Sequence, residues 1–225
     1  MNETMSGPRV PAIILLGPPG SGKSTQADLF QSVFRAAHVD IGGALRCVAS
    51  EPTPFGSRVN MIINDRKELV PDAVIRTVLE RELERIPADQ PVVIDGAPRC
   101  KGQIDDVLGL IRDSGRSFRG VVLLDLPVEA SIERISKRFF CGGCGRKFVV
   151  GTDVPDAVSP CPDCGGALVQ REDDTEEGVR KRYRVFHEST YPVIRHFEEQ
   201  GLLFRVSALL EPREVLSEIR HYLSM

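Results

Sequence analysis

Short apolar runs separated by amphipathic stretches set the pattern of this chain. Ala12-Ile13-Ile14-Leu15-Leu16 is the first run and Pro91-Val92-Val93-Ile94-Asp95 the second. Gly120-Val121-Val122-Leu123-Leu124-Asp125 is the third, and Leu202-Leu203-Phe204-Arg205-Val206 a shorter fourth. Runs this short and this continuously apolar predict strands buried on both faces, as in a parallel sheet. Helices are expected between them, over 40–50, 57–65, 71–86, 101–114, 128–139, 174–199 and 211–223. An earlier helix starts at Ser24, with Ala27, Leu29, Phe30, Val33 and Phe34 largely on one face. Pro71 and Pro212 fall where a first-turn proline is tolerated, whereas Pro192 lies inside the 174–199 stretch and should kink it. The alternation predicts an α/β fold with a central parallel sheet and helices on both faces. Ligands of such a fold bind at the carboxyl ends of the strands.

Residues 140–170 interrupt the alternation. They are rich in Gly, Pro and Cys and too poor in apolar side chains to make a core of their own. They are therefore expected to form a small lid-like module inserted into one α/β core built from 12–139 and 171–225, with 1–11 as a mobile tail. A chain of 225 residues is ordinary for such an arrangement. The net charge of −3 argues against non-specific nucleic-acid binding. No apolar run has membrane-spanning length, and Met1–Pro11 lacks the apolar stretch of a secretory signal. A cytoplasmic protein with reduced thiols is expected.

Between the first run and the first helix lies Gly17-Pro18-Pro19-Gly20-Ser21-Gly22-Lys23-Ser24-Thr25, which fits G-x-x-x-x-G-K-[ST]. Strand, glycine loop and helix are the arrangement a phosphate site needs. Backbone N–H groups turn inward on phosphate oxygens at a helix N-terminus whose dipole favours negative charge. Lys23 is then placed for the β- and γ-phosphates and Ser24 for Mg²⁺. The chain is expected to bind nucleotide.

Four of the six cysteines form Cys141-x2-Cys144 and Cys161-x2-Cys164, with sixteen residues between the pairs. This is the spacing of a structural zinc site. Gly142, Gly143, Gly145, Gly165 and Gly166 permit the tight turns that aim paired sulfurs at one ion. Four thiolates fill a tetrahedron and leave no open position for catalysis. Zinc is chosen over iron because no other redox feature is present, although an S4 site accepts either. Cys47 and Cys100 carry no assigned chemistry.

Together these motifs resemble the adenylate kinase family, in its long-lid form with a zinc-binding lid, from about Ala12 to Leu223. Gly17 to Ala27 is similar to the family's phosphate loop. Asp95-Gly96-Ala97-Pro98-Arg99 with Gln103 is similar to its D-G-F-P-R-x3-Q segment, and Leu69-Val70-Pro71-Asp72 to its L-V-x-D. The cysteine pairs, Gln170-Arg171-Glu172-Asp173-Asp174 and Val179-Arg180-Lys181-Arg182 match the lid and its exit. The resemblance implies a P-loop kinase running ATP + AMP ⇌ 2 ADP with Mg²⁺, a structural Zn²⁺ in the lid, and a monomer. It places Gly17, Gly20, Ser21, Gly22, Lys23, Ser24, Thr25, Arg134 and Phe148 at ATP, with Arg134 over the adenine. Ile41, Arg46, Glu68, Leu69, Val70, Gly96, Arg99 and Gln103 fall at AMP, within a monophosphate-binding part at about 40–70 and the segment after the second strand. Lys23, Arg99, Arg138, Arg171 and Arg182 close on the transferring group. Such transfer spreads charge over equatorial oxygens, and Arg binds these bidentately. Arg180, Lys181 and Arg184 are read as solvated.

Several assignments stay open at this point. Asp95 either holds water ligands of Mg²⁺ or caps a helix. Asp173 and Asp174 either pair with lid arginines or sit as solvated first-turn carboxylates. The Gln103 amide can donate to and accept from an adenine edge, but a surface Gln reads the same. The acceptor site departs from the family: Ile41-Gly42-Gly43 replaces Thr-Gly-Asp, Ala97 replaces Phe and Cys100 replaces Thr. Gly43 thereby lacks a carboxylate that helps order water around Mg²⁺. Ile41 and Ala97 are taken as a compensating pair in volume. The competing functions are a kinase for another nucleoside monophosphate and a non-catalytic, ATP-responsive module. A zinc-ribbon nucleic-acid protein is opposed by the acidic balance.

Overall fold

A computed structural model describes residues 10–66 and 70–223. The chain runs β1 (Pro11–Leu16), α1 (Lys23–Phe34), β2 (Ala37–Asp40), α2 (Ile41–Ala49), α3 (Pro54–Asn60), α4 (Asp72–Glu84) and β3 (Val92–Asp95). It continues as α5 (Ile104–Asp113), β4 (Ser117–Asp125), α6 (Val128–Ser136), β5 (Arg138–Cys141), β6 (Lys147–Val149) and β7 (Leu168–Val169). The last elements are α7 (Glu176–Val185), α8 (Tyr191–Glu199), β8 (Leu203–Ser207) and α9 (Pro212–Leu223).

Among the described residues, five strands form one sheet in the order β2-β3-β1-β4-β8. Every neighbouring pair is parallel. The period-2 alternation of a strand divides the apolar runs between two cores. Ala12, Ile14, Leu16, Val92, Ile94, Val121 and Leu123 point to one face, which α2, α4, α5 and α8 cover. Ile13, Leu15, Val93, Val122 and Leu124 point to the other, under α1 and α9. Helices therefore lie on both faces, as the alternation predicts. Ala27 and Phe30 of α1 are buried, while Val33, expected on the same face, is half exposed.

Arg116, between α5 and β4, is fully buried and donates to the carbonyls of Ile86, Pro87, Gln90 and Ser114. Its fork satisfies backbone acceptors that a connection beneath the sheet would otherwise leave bare.

Four local departures have physical causes. The expected helix from 40 is preceded by β2, only four residues long and completed by pairing with β3. The helix expected over 57–65 starts earlier, with Pro54 in its first turn and the Thr53 hydroxyl accepting from the Gly56 N–H at 2.9 Å. It then widens into a π-helical turn at Met61–Arg66. The helix expected over 128–139 stops at Ser136, because Arg138–Phe140 pair with Lys147–Val149. The 174–199 stretch is interrupted by a π-helical turn at Phe186–Thr190, directly before Pro192 in the first turn of α8. A proline lacks the N–H that the preceding turn needs, so the ladder widens there.

The 140–170 segment, together with Arg138 and Phe139 leading into it, forms a separate antiparallel sheet, β6-β5-β7. Its small core consists of Cys141, Phe148, Val154 and Cys161, with Val150 and Leu168 against it. No helix among the described residues is long and apolar enough to cross a membrane.

Candidate active site

The loop after β1 carries the phosphate motif on the carboxyl edge of the sheet. Gly17 has φ 156°, and a Cβ there would lie 2.5 Å from Ser21 Oγ and 2.7 Å from the Leu124 carbonyl. Only glycine lets the loop pass that close to β4. Gly20 and Gly22 also have positive φ, and Gly22 stands directly before α1. Ser21 is buried, and Thr25 lies in the first turn of α1. The loop is fastened from α6: Ser131 Oγ donates to the Pro19 carbonyl at 2.5 Å, and Arg134 donates to Ala208 O at 2.6 Å and Gly20 O at 3.5 Å.

Lys23 opens α1 and folds back into the loop, donating to the carbonyls of Gly17 at 2.9 Å and Pro18 at 3.1 Å. Burial lowers its pKa, and Arg99 and Arg138 lower it further, while Asp95 and Asp40 oppose the shift. These four charged side chains therefore lie near Lys23.

Asp95 ends β3 and is buried. It accepts from Ser24 Oγ at 3.4 Å and lies 3.9 Å from His38 Nε2. Of the two readings open in the sequence, helix capping has no support, since the carboxylate faces the phosphate loop. Burial raises its pKa, but His38 and Lys23 outweigh that and hold it below the usual carboxylate range. A loop hydroxyl beside a strand-end carboxylate is the donor set that holds Mg²⁺ in P-loop enzymes, so these residues fit that ion. His38 and Asp40 at the end of β2 escaped the sequence reading. The signal was slight, a β-branched residue before an aspartate in Val39-Asp40, matching Ile94-Asp95.

Arg99 follows Gly96, whose φ is 95°, and the cis Ala97–Pro98 peptide. Its Nε donates to Gly96 O at 2.9 Å. Its backbone N–H donates to Gln103 Oε1 at 2.7 Å, and Gln103 Nε2 donates to Asp72 Oδ1 at 2.8 Å. Gln103 is therefore no surface amide: it is buried and tied at both ends. Cys100 Sγ donates to the same Asp72 oxygen at 3.3 Å. Ile41 and Ala97 are fully buried in one core cluster. Arg46 lies in the last turn of α2, 3.6 Å from Asp40, and Val70 packs on the core. Glu68 and Leu69 lie outside the described residues.

Three further arginines come from the lid and its exit. Arg138 opens β5 and grips Asp174 from Nη2 at 2.7 and 2.9 Å and from Nε at 3.3 Å. Arg182 of α7 reaches the same carboxylate at 2.9 Å and Asp173 at 3.2 Å. Asp174 is thus buried between two arginines, whereas Asp173 reaches Arg182 from an exposed position. Arg171 stacks on the Phe140 ring at 4.3 Å, and Arg138 lies 5.4 Å from it. Burial lowers the Arg171 pKa, and Arg46 and Arg138 add to the shift. Phe148, in contrast, is buried in the lid core.

In the lid, the Cys141, Cys144, Cys161 and Cys164 sulfurs all lie within 4.8 Å of one another. The turns match: Gly145 N–H donates to Cys141 O at 2.9 Å and Gly165 N–H to Cys161 O at 2.8 Å. Cys141 and Cys164 sulfurs are 3.3 Å apart and Cys144 and Cys161 sulfurs 3.8 Å. Tetrahedral zinc–thiolate bonds put sulfurs about 3.8 Å apart, so the four cysteines fit that ion. The N–H of Cys144 is the largest influence holding the Cys141 thiol down to about 6.

A parallel sheet, a phosphate loop and cations from separate elements around one cleft define a P-loop phosphotransferase. The sequence profile of the family described as Adenylate kinase matches residues 15–202. A protein named adenylate kinase from Gloeobacter violaceus is 40% identical over 215 residues, covering 94% of this chain and 97% of the relative. One of the same name from Kosmotoga olearia is 37% identical over 207 residues, covering 92% and 96%. A third, from Thermotoga maritima, is 34% identical over 208 residues, covering 92% and 94%. The chain belongs to the adenylate kinase family.

Proposed function

We propose that this chain catalyses ATP + AMP ⇌ 2 ADP. The observation that carries the reading is the phosphate loop with Lys23 folded into it and Ser24 beside the strand-end Asp95, with Arg99 and Arg138 near enough to lower the Lys23 pKa. In the proposed assignment the loop amides of Gly17–Thr25 and Lys23 hold the ATP phosphates, with Arg134 at the adenine. Phe148 supports the ATP side from within the lid. Arg46 and Arg99 hold the acceptor phosphate, and Ile41, Val70, Gly96 and Gln103 line the rest of the acceptor site. Arg138, Arg171 and Arg182 neutralise charge spreading over the transferred group. An acceptor oxygen attacks the γ-phosphorus in line as the bond to the β-γ bridging oxygen breaks. Positioning supplies the rate, with no covalent intermediate. Mg²⁺, when bound near Ser24 and Asp95, neutralises phosphate charge.

Closure of the lid, residues 140–170, over the core of 12–139 and 171–225 would exclude water that otherwise hydrolyses ATP. The four cysteines would hold Zn²⁺, substituting for the apolar core that so small a module lacks. A monomer acting in the cytoplasm on free nucleotides accompanies this reading.

The test is ADP formation from Mg-ATP with AMP, GMP, CMP, UMP and dTMP in turn, with Lys23→Ala as the blank. Strong turnover with AMP alone is expected. Turnover with another monophosphate would reassign the acceptor, and tight ATP binding without any turnover would point to a nucleotide-responsive module.

A further inference from the structure

The carboxyl edge of the sheet carries a second carboxylate beside Asp95. β2 and β3 pair in parallel, and the register sets Asp40 opposite Asp95. Asp40 immediately precedes α2, a position where an aspartate ordinarily accepts from the first helical N–H groups. Its side chain makes no such capping bond. Its close partner is Arg46 at 3.6 Å, with both side chains about half exposed, a pairing that contributes little and exchanges readily. Asp40 also lies near enough to Lys23, His38 and Arg99 to act on their charges.

The start of α2 is built around this carboxylate. Gly42 and Gly43 sit in the first turn of the helix, where each is less favourable than Ala by about 1 kcal/mol. Neither has the positive φ that would require glycine. Space requires it instead. A Cβ on Gly43 would lie 2.6 Å from Asp40 Oδ2 and 3.1 Å from its Cγ, and one on Gly42 would lie 3.3 Å from Oδ1. The carboxylate therefore occupies the volume in which a side chain at 43 would begin.

We propose that Asp40 is a positioning residue for the Mg²⁺ of the bound nucleotide, sharing with Asp95 the water ligands of the cation, and that Gly43 is kept bare to let it reach them. Mg²⁺ dehydrates reluctantly and keeps several waters, which strand-end carboxylates can accept from. Arrival of a nucleotide would draw Arg46 to phosphate and release Asp40 to those waters. The proposal rests on the kinase reading above only for the presence of a Mg²⁺-nucleotide.

The test is Mn²⁺ binding, followed by electron paramagnetic resonance, to protein saturated with a non-hydrolysable ATP analogue. Asp40→Asn is expected to weaken cation binding about tenfold. Gly43→Ala, which adds no polar group, is expected to do the same by displacing Asp40, and the double variant to be no worse than either. Analogue binding in EDTA should not change in either variant, and the circular dichroism melt should not change in Asp40→Asn. Unchanged Mn²⁺ affinity in Asp40→Asn would overturn the proposal. So would unchanged Mn²⁺ affinity with tighter AMP binding, which would make Asp40 a counter-ion of Arg46. No acceptor enters the cation measurement, so it stands apart from turnover; failure of the unsubstituted chain to bind the Mn²⁺ analogue at all would instead sink the kinase reading.

Discussion

Arg138 holds Asp174 through two nitrogens, with Nη2 2.7 Å from Oδ1 and 2.9 Å from Oδ2 and Nε 3.3 Å from Oδ2, and the carboxylate is wholly buried. Arg182 reaches the same group from α7 at 2.9 Å. One acid thus fastens the strand that enters the lid to the helix that follows its exit. Removing it would leave two guanidinium groups facing each other across a buried gap. Asp174→Ala is expected to destabilise the protein by about 3 kcal/mol in urea denaturation and to lower turnover, because both arginines would lose their aim. A loss of stability within error would mean that the pair does not brace the lid.

The cysteine cluster makes a second prediction. Because the lid core holds few apolar side chains besides Phe148 and Val154, an ion bound by four thiolates should supply much of its stability. Chelator treatment is expected to release about one zinc per chain and to lower Tm by roughly 5–10 °C, with activity falling in parallel. Unaltered melting and activity after verified metal removal would rule out the structural role.

His38 links folding to pH. Burial opposes its charged form, but Asp95 at 3.9 Å, with Asp40 and Asp28, outweighs burial and raises its pKa above 6.5. A group with a raised folded pKa contributes stability fully below its unfolded value and loses that contribution as pH rises through the folded value. The stability advantage of the unsubstituted chain over His38→Gln should therefore be largest below pH 6.5 and shrink as pH rises above it. Paired melts across that window would show it; a constant difference would remove His38 as the linked group.

Ile41 and Ala97 are both fully buried in the same core cluster. Ala97→Phe alone should overpack that cluster, costing about 1–3 kcal/mol. Adding Ile41→Thr should recover part of the loss, so the double variant departs from additivity by at least about 0.5 kcal/mol, with matching non-additivity in acceptor KM. Purely additive effects would show that the two positions vary independently.

The sequence by itself determined what depends on short-range pattern. Continuous apolar runs in Ala12–Leu16, Val92–Ile94 and Val121–Leu124 specify buried parallel strands, because only such strands meet apolar neighbours on both faces. The phosphate loop and the paired cysteines were legible for a related reason: their chemistry is local, set by backbone turns between residues a few positions apart. Tertiary structure alone decided what depends on partners far along the chain. β2 is too short to announce itself, and exists through its ladder to β3. Gln103 could have been a surface amide until Asp72 and the Arg99 N–H were brought to it. The carboxylate at Asp40 acquired meaning only when parallel register set it beside Asp95 and close packing explained a bare Gly43. Such relationships join side chains distant in sequence, so no periodicity within one segment can encode them.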